Sequence, residues 1–298
     1  MLRQNTVLVV IPAYNRPDQL KRAVTSVLQQ RYRDFSLVVV DDASTEDIGE
    51  CEALVRENGH DWLRLSANVG PALARNKGAE GRVFQWVAFL DSDDIWLPDK
   101  LESQIAWCAD NPAFRISQVR ESWFRNGESF AKPPHLEQTG GDIFRDCVER
   151  CAIGPSCVMI RHDLWQESGG FDARFRVCED YELWLRVASR DAVGLVEGPA
   201  LVEKYGGHDD QLSVLVPALD RFRFAALALF LNRAQGLSPQ NRDVVHSGLT
   251  KRAKILAKGA ARRGRQEWLD FFLSVEPPLS PEEIEKAFEY CSISEHGA

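Results

Sequence analysis

The stretch Phe89-Leu90-Asp91-Ser92-Asp93-Asp94 is the one best equipped for chemistry. The apolar run Trp86–Leu90 stops abruptly, and three carboxylates follow within four positions. In extended backbone, residues two apart point to the same side, so Asp91 and Asp93 offer two hard oxygen ligands together. Such a pair suits Mg²⁺ or Mn²⁺ shared with substrate phosphates rather than caged by protein. Read by itself, the stretch also fits an acidic turn closing a strand, because Asp is common in turns.

The elements that would position these acids are legible upstream. Thr6–Ile11 is a β-branched apolar run that reads as a central strand ended by Pro12. A loop, Pro12–Pro17, leads to an amphipathic helix in which Leu20, Ala23, Val24, Val27 and Leu28 follow helical spacing. Phe35–Val40 is a second strand and ends in Asp41-Asp42. A helix from Glu46 to about Asn58, a short strand at Leu63–Leu65 and a turn at Asn68–Pro71 follow. A small-residue helix, Ala72–Glu80, carries Arg75 and Asn76, and Trp86–Leu90 is the next strand. Strands alternating with helices imply βαβ units and a mostly parallel sheet flanked by helices. Parallel strands share their carboxyl ends, so Tyr14, Asp42 and Asp91/Asp93 are expected at one rim. Open α/β sheets bind ligands there.

Further along, helices are expected at Leu97–Ala109, Ile143–Cys151, Asp163–Ser168 and Glu179–Ser189. Strands are expected at Arg115–Val119, Ser122–Phe124 and Ser156–Arg161, with Asn126-Gly127 as a hairpin turn signal. Gly194–Tyr205 reads as paired short strands. Beyond Ser213 only helices are expected, at Leu219–Leu231, Asn241–Ala261 and Pro281–Tyr290. The expected organisation is an α/β domain over 1–213 and a helical C-terminal extension over 214–298.

The chain has 298 residues, 44% hydrophobic and 27% charged, which is ordinary for a soluble globular protein with a sizeable core. A formal net charge of -8 argues against general nucleic-acid binding. No signal-peptide pattern opens the chain and no apolar run approaches the ~20 residues that span a bilayer, so the expected location is cytoplasmic. The seven cysteines are odd in number and dispersed, which fits reduced thiols better than a disulfide framework. Lys251, Arg252, Lys254, Lys258, Arg262, Arg263 and Arg265 form a basic cluster in the tail. It reads either as a solvated helix face or as a peripheral contact with an anionic membrane surface.

Six motifs occur in order: Val9–Arg16, Val38–Ser44, Asn68-x-Gly70 with Ala74-Arg75-Asn76-x-Gly78, Phe89–Asp94, Gly169–Asp172 and Glu179–Trp184. Together they resemble a family-two, inverting, nucleotide-sugar glycosyltransferase of the GT-A fold, a Rossmann-like mostly parallel sheet flanked by helices. The resemblance covers about Thr6 to Ser213. It implies that Pro12, Tyr14 and Arg16 after the first strand, and Asp42 after the second, hold the nucleotide, with Asp42 accepting from a base N–H. It implies that Arg75 reaches the diphosphate with its planar fork of donors, although a surface arginine on a helix also fits the residue. Asp91 and Asp93 match the Asp-x-Asp motif, with Asp93 on a divalent metal, Mn²⁺ or Mg²⁺, and Asp91 assisting through ribose or water. Some relatives place a histidine after the last core strand on the metal or diphosphate, the role His208 would take, although a lone loop histidine more often has no such role. Asp180 matches the general base. Glu179 and Trp184 would then border the acceptor and sugar site, although Asp180 and Glu179 also suit a helix N-terminus and Trp184 also suits a core.

The implied activity moves one sugar, from a UDP-sugar ahead of dTDP- or GDP-sugars, to a glycan or glycolipid hydroxyl in surface polysaccharide or related synthesis. The Gln-x-x-Arg-Trp motif and membrane helices of processive synthases are absent from the sequence. Two other readings stay open. A nucleotidyltransferase would want a glycine-rich, lysine-bearing phosphate loop, and Pro12–Pro17 has neither residue. A non-catalytic nucleotide-sugar-binding protein would not require Asp91, Asp93 and Asp180 together.

Overall fold

The computed structural model describes residues 7–207, 215, 216 and 218–292. The first half alternates as the apolar runs dictate: β1 (Val7–Ala13), α1 (Pro17–Leu28), β2 (Phe35–Asp41), α2 (Gly49–Glu57), β3 (Asp61–Arg64), α3 (Pro71–Ala79) and β4 (Trp86–Phe89). β5 (Ile95–Trp96), α4 (Lys100–Asp110), β6 (Ile116–Gln118), β7 (Glu121–Arg125) and β8 (Glu128–Phe130) follow. Then come α5 (Phe144–Glu149), β9 (Val158–Arg161), α6 (His162–Ser168), α7 (Glu179–Ala188), β10 (Gly194–Leu195) and β11 (Val202–Gly206). The C-terminal part is α8 (Asp220–Arg233), α9 (Pro239–Arg262), α10 (Gln266–Leu273) and α11 (Pro281–Ser292).

The central sheet has the order β10-β6-β9-β4-β1-β2-β3. β3, β2, β1 and β4 run parallel, and β9 runs antiparallel to both β4 and β6. Successive side chains of β1 alternate between two buried layers. Leu8 and Val10 belong to the core cluster that includes residues of α3, α6 and α7, while Val7, Val9 and Ile11 belong to the one that includes residues of α1 and α2. Burial on both faces is why these strands read as continuous apolar runs.

Several expectations change. β1 does not stop at Pro12 but pairs with β2 as far as Ala13 opposite Asp41. Val10 bonds toward β4 through its carbonyl, so Pro12, two residues on, faces the same side, where β4 has already ended. Its missing N–H therefore breaks no ladder bond. Gly194–Tyr205 is not a pair of strands. β10 joins β6 in the central sheet, and β11 joins β5 and β7 in a second sheet of order β5-β11-β7-β8. The β7–β8 hairpin turns on Asn126 and Gly127 at φ 52° and 82°, the left-handed pair that a tight hairpin requires. α10 was not expected from the sequence. It is short, and Trp268, Phe271 and Phe272 supply its buried stripe.

The residues around the expected boundary at 213 lie outside the described ones. The helices beyond it share one continuous apolar core with the sheet. Phe224, Leu249 and Phe272 belong to the same cluster as Phe144, Tyr181 and Leu8. Among the described residues, no helix is long and apolar enough to cross a membrane.

Candidate active site

The carboxyl ends of β1, β2 and β4 form the rim. After β1, Asn15 and Arg16 take left-handed backbone at φ 57° and 63°, and after β2 Ala43 does so at φ 61°. Such conformations are uncommon for non-glycine residues and need surrounding structure to hold them. Asn15 provides it. Its backbone N–H donates to Ser44 Oγ at 2.8 Å, and its Oδ1 accepts from the Thr45 and Glu46 N–H groups at 2.9 and 3.1 Å. The first two rim loops are thereby stapled together, with Tyr14 exposed beside them.

Asp42 is buried and accepts from the Val69 and Gly70 N–H groups, one per oxygen, both at 2.8 Å. Burial raises its pKa against the pull of those two donors. It therefore anchors the turn that launches α3, where Gly70 at φ 87° precedes Pro71 at the first helical position.

Past β4, ligand oxygens of Asp91, Asp93 and Asp94 lie within 4.8 Å of one another. That separation and all-oxygen donor set fit a hard divalent cation. The three acids differ in their partners. Asp94 is buried and ties the turn inward: it accepts from Ser156 Oγ at 2.6 Å and from the Tyr205 N–H at 3.1 Å. Burial raises its pKa well above the carboxylate norm. Ser156 Oγ in turn accepts from the Asp91 N–H at 3.1 Å. Asp93 pairs with Arg16 at 2.9 Å, and Asp91 with Arg75 at 2.6 Å.

Arg75 differs from the expectation of a diphosphate-facing residue. Its guanidinium is buried, bridging Asp91 and, at 2.7 Å, Glu179 Oε1. Burial works against its charge, but the two carboxylates hold it firmly protonated. The reason lies in α3: Gly78 lets the helix lie against Val10 and Val40, which sets Arg75 one turn earlier beneath the rim. Glu179 is correspondingly buried at the start of α7 rather than open to an acceptor, and burial pushes its carboxyl up against the pull of Arg75.

Asp180 follows Glu179 in the first turn of α7, after Cys178 at φ 60°. Its Oδ1 accepts from the Tyr181 N–H at 2.7 Å, and its Oδ2 from the Cys151 thiol at 2.9 Å. Trp184 is not a sugar-site floor. It is fully buried, with its ring edge-on to Phe171. One helical turn beyond Asp180 carries it beneath the rim and into the core. His208 lies outside the described residues. Of the basic tail cluster, Arg252 turns inward and is buried, donating to the Val148 and Glu149 carbonyls at 2.8 and 2.9 Å. It caps the end of α5 and cannot belong to an exposed basic face.

Sequence reasoning missed Asn15 as a staple, Ser156, Cys151 and the pair Glu121–Lys204. The Lys204 ammonium on β11 is drawn to Glu121, Asp94 and Asp91, which hold it protonated against burial. Only Asn15 carried a local signal, as an Asn in a Pro-bounded loop. The others act across long sequence separations.

Known proteins resemble this chain in sequence and in fold. A family model described as glycosyl transferase family 2 matches residues 8–167. A putative teichuronic acid biosynthesis glycosyltransferase, TuaG of Bacillus subtilis, is 42% identical over 187 residues, covering 62% of this chain and 72% of that one. An uncharacterized glycosyltransferase of Rickettsia conorii is 32% identical over 197 residues, covering 66% of this chain and 32% of that one, so the chain spans about a third of its length. The crystal structure of Staphylococcus aureus TarS 1-349 with UDP-GlcNAc superposes at a TM-score of 0.70 and 17% identity, covering 96% of this chain and 79% of that one. It shares the GT-A fold. With the family model spanning more than half of its residues, this chain belongs to glycosyl transferase family 2.

Proposed function

We propose that the protein transfers one sugar from a nucleotide-sugar, a UDP-sugar, to a hydroxyl of a glycan or glycolipid acceptor in polysaccharide synthesis. The observation that carries this reading is the continuous run Asp93, Asp91, Arg75, Glu179, which links the acidic cluster at the end of β4 to the first turn of α7, where Asp180 stands. The TuaG name and the UDP-GlcNAc complex of TarS support the donor and product classes.

In this reading the stapled loops after β1 and β2 hold the nucleotide, with Tyr14 offering a ring face beside Asp42. Asp93 and Asp91 would hold a divalent cation, Mn²⁺ or Mg²⁺, which would supply the positive charge to offset that developing on the leaving diphosphate. Asp180 removes the proton of the acceptor hydroxyl as its oxygen attacks the anomeric carbon. The bond from that carbon to the diphosphate oxygen breaks on the opposite side, so configuration inverts. General-base help of this kind is worth about 10²–10⁴-fold. Arg75 keeps Asp91 and Glu179 in place rather than meeting substrate. The exposed residues Lys254, Ile255 and Lys258 on α9 form a basic, partly apolar face suited to an anionic membrane surface, where lipid-linked acceptors reside.

The test is thermal stabilisation by a panel of UDP-, dTDP- and GDP-sugars with Mn²⁺ or Mg²⁺, each with and without chelator. The expected result is chelator-sensitive stabilisation, largest for a UDP-sugar. Absence of metal-linked stabilisation by any nucleotide overturns the reading.

A further inference from the structure

We propose that Cys151 is a positioning residue for the general base: its thiol donates to Asp180 and fixes the rotation of that carboxylate. The inference rests on the assignment of Asp180 as base. One carboxylate oxygen, Oδ1, is held by the Tyr181 backbone N–H, a bond that the helix itself provides. Oδ2 meets the Cys151 sulfur at 2.9 Å. A carboxylate has about four lone-pair sites, so two donors leave room for the proton it must take. The thiol also lies 3.3 Å from the Ile153 carbonyl, but the carboxylate is both nearer and charged. Burial, and then the neighbouring Asp180 charge, push the Cys151 thiol well above its usual range, which keeps the donor proton on sulfur.

The placement of Cys151 is itself built. α5 ends two residues earlier, and its final carbonyls are gripped from two directions. The Tyr181 hydroxyl donates to Val148 O at 2.6 Å, and Arg252 of α9 donates to Val148 O and Glu149 O. The residue next to the base therefore holds the strand of chain that delivers the thiol to the base. The C-terminal helices take part through Arg252. Lys204, Cys178 and Glu179 are the other ionisable groups near this pair, with Arg223 behind Cys178. A weak S–H donor suits the task, since it orients a carboxylate while leaving it free to accept a proton.

The experiment measures Mn²⁺-dependent hydrolysis of the best-stabilising UDP-sugar and UDP affinity for Cys151→Ala, Cys151→Ser and Asp180→Asn. Loss of a fixed orientation predicts a fall in kcat of about three- to tenfold for Cys151→Ala, with donor KM and UDP affinity within about twofold of wild type. Cys151→Ser, whose hydroxyl also donates, is expected to restore most of kcat. Wild-type kcat in Cys151→Ala overturns the proposal, as does a parallel loss of kcat, UDP affinity and melting temperature in both Cys151 variants. Undiminished hydrolysis by Asp180→Asn removes the base assignment itself. Loss in Asp180→Asn with wild-type turnover in Cys151→Ala overturns the positioning role alone.

Discussion

Arg16 Nη1 lies 2.9 Å from Asp93 Oδ2, so the carboxylate assigned to a cation already faces a guanidinium of the neighbouring rim loop. A metal arriving at Asp93 has to displace or share that contact. Even solvent-exposed pairs are worth up to about 1 kcal/mol, and the Arg16 and Asp93 side chains are largely shielded from water. Arg16→Ala is therefore expected to bind Mn²⁺ about two- to fivefold more tightly in the absence of nucleotide, as read by calorimetric titration. Unchanged or weaker binding contradicts a competition between Arg16 and the cation.

Arg75 bridges two carboxylates in a buried setting. Its removal leaves Asp91 and Glu179 without their common counter-charge, and breaking a buried pair from one side costs about 3–5 kcal/mol. Arg75→Ala should lower the urea midpoint by a corresponding amount and weaken UDP binding, because Asp91 loses its orientation. A variant as stable as wild type would show that the bridge does not form.

Gly78 has no room for a side chain. A Cβ there would run into Val10 and sit 3.0 Å from Val40. Gly78→Ala should destabilise by about 1–3 kcal/mol, the usual cost of overpacking. It should also weaken donor binding, because α3 moves off the sheet and carries Arg75 with it. Denaturant melts and UDP titration check both effects.

Burial alone would raise the Glu121 carboxyl, but the Lys204 and Lys132 ammoniums and bonds from Lys132 and Trp123 bring it down to about 2. A carboxyl lower in the folded than in the unfolded state contributes stability that is full above the unfolded value, near 4.5, and is lost as pH falls toward 2. The contribution is about 3 kcal/mol at neutral pH. Glu121→Gln should therefore be less stable than wild type at pH 7, with a shallower loss of stability between pH 5 and 2. Equal pH slopes for the two proteins would contradict the paired state of Glu121.

The parallel half of the sheet was legible because β1, β2 and β4 are buried on both faces and so read as continuous apolar runs that stop at polar residues. That logic places Tyr14, Asp42 and Asp91 at one rim from the sequence alone. It could not supply the partners. Arg75 meets Glu179 across 104 positions and Cys151 meets Asp180 across 29, and no local pattern encodes either contact. Helical spacing put Trp184 on the side of Asp180 but carried no information on depth, and depth decided that it is core. The two short strands β10 and β11 lie close in sequence, yet hydrogen-bonding partners far upstream send them to different sheets.

The most direct test of the central claim is the anomeric configuration of the sugar first released or transferred from an α-linked UDP-sugar with Mn²⁺, followed by early-time proton NMR. A single displacement assisted by Asp180 predicts the β anomer, formed at a rate that falls about 10²-fold or more in Asp180→Asn. An α product, or undiminished turnover in that variant, contradicts it.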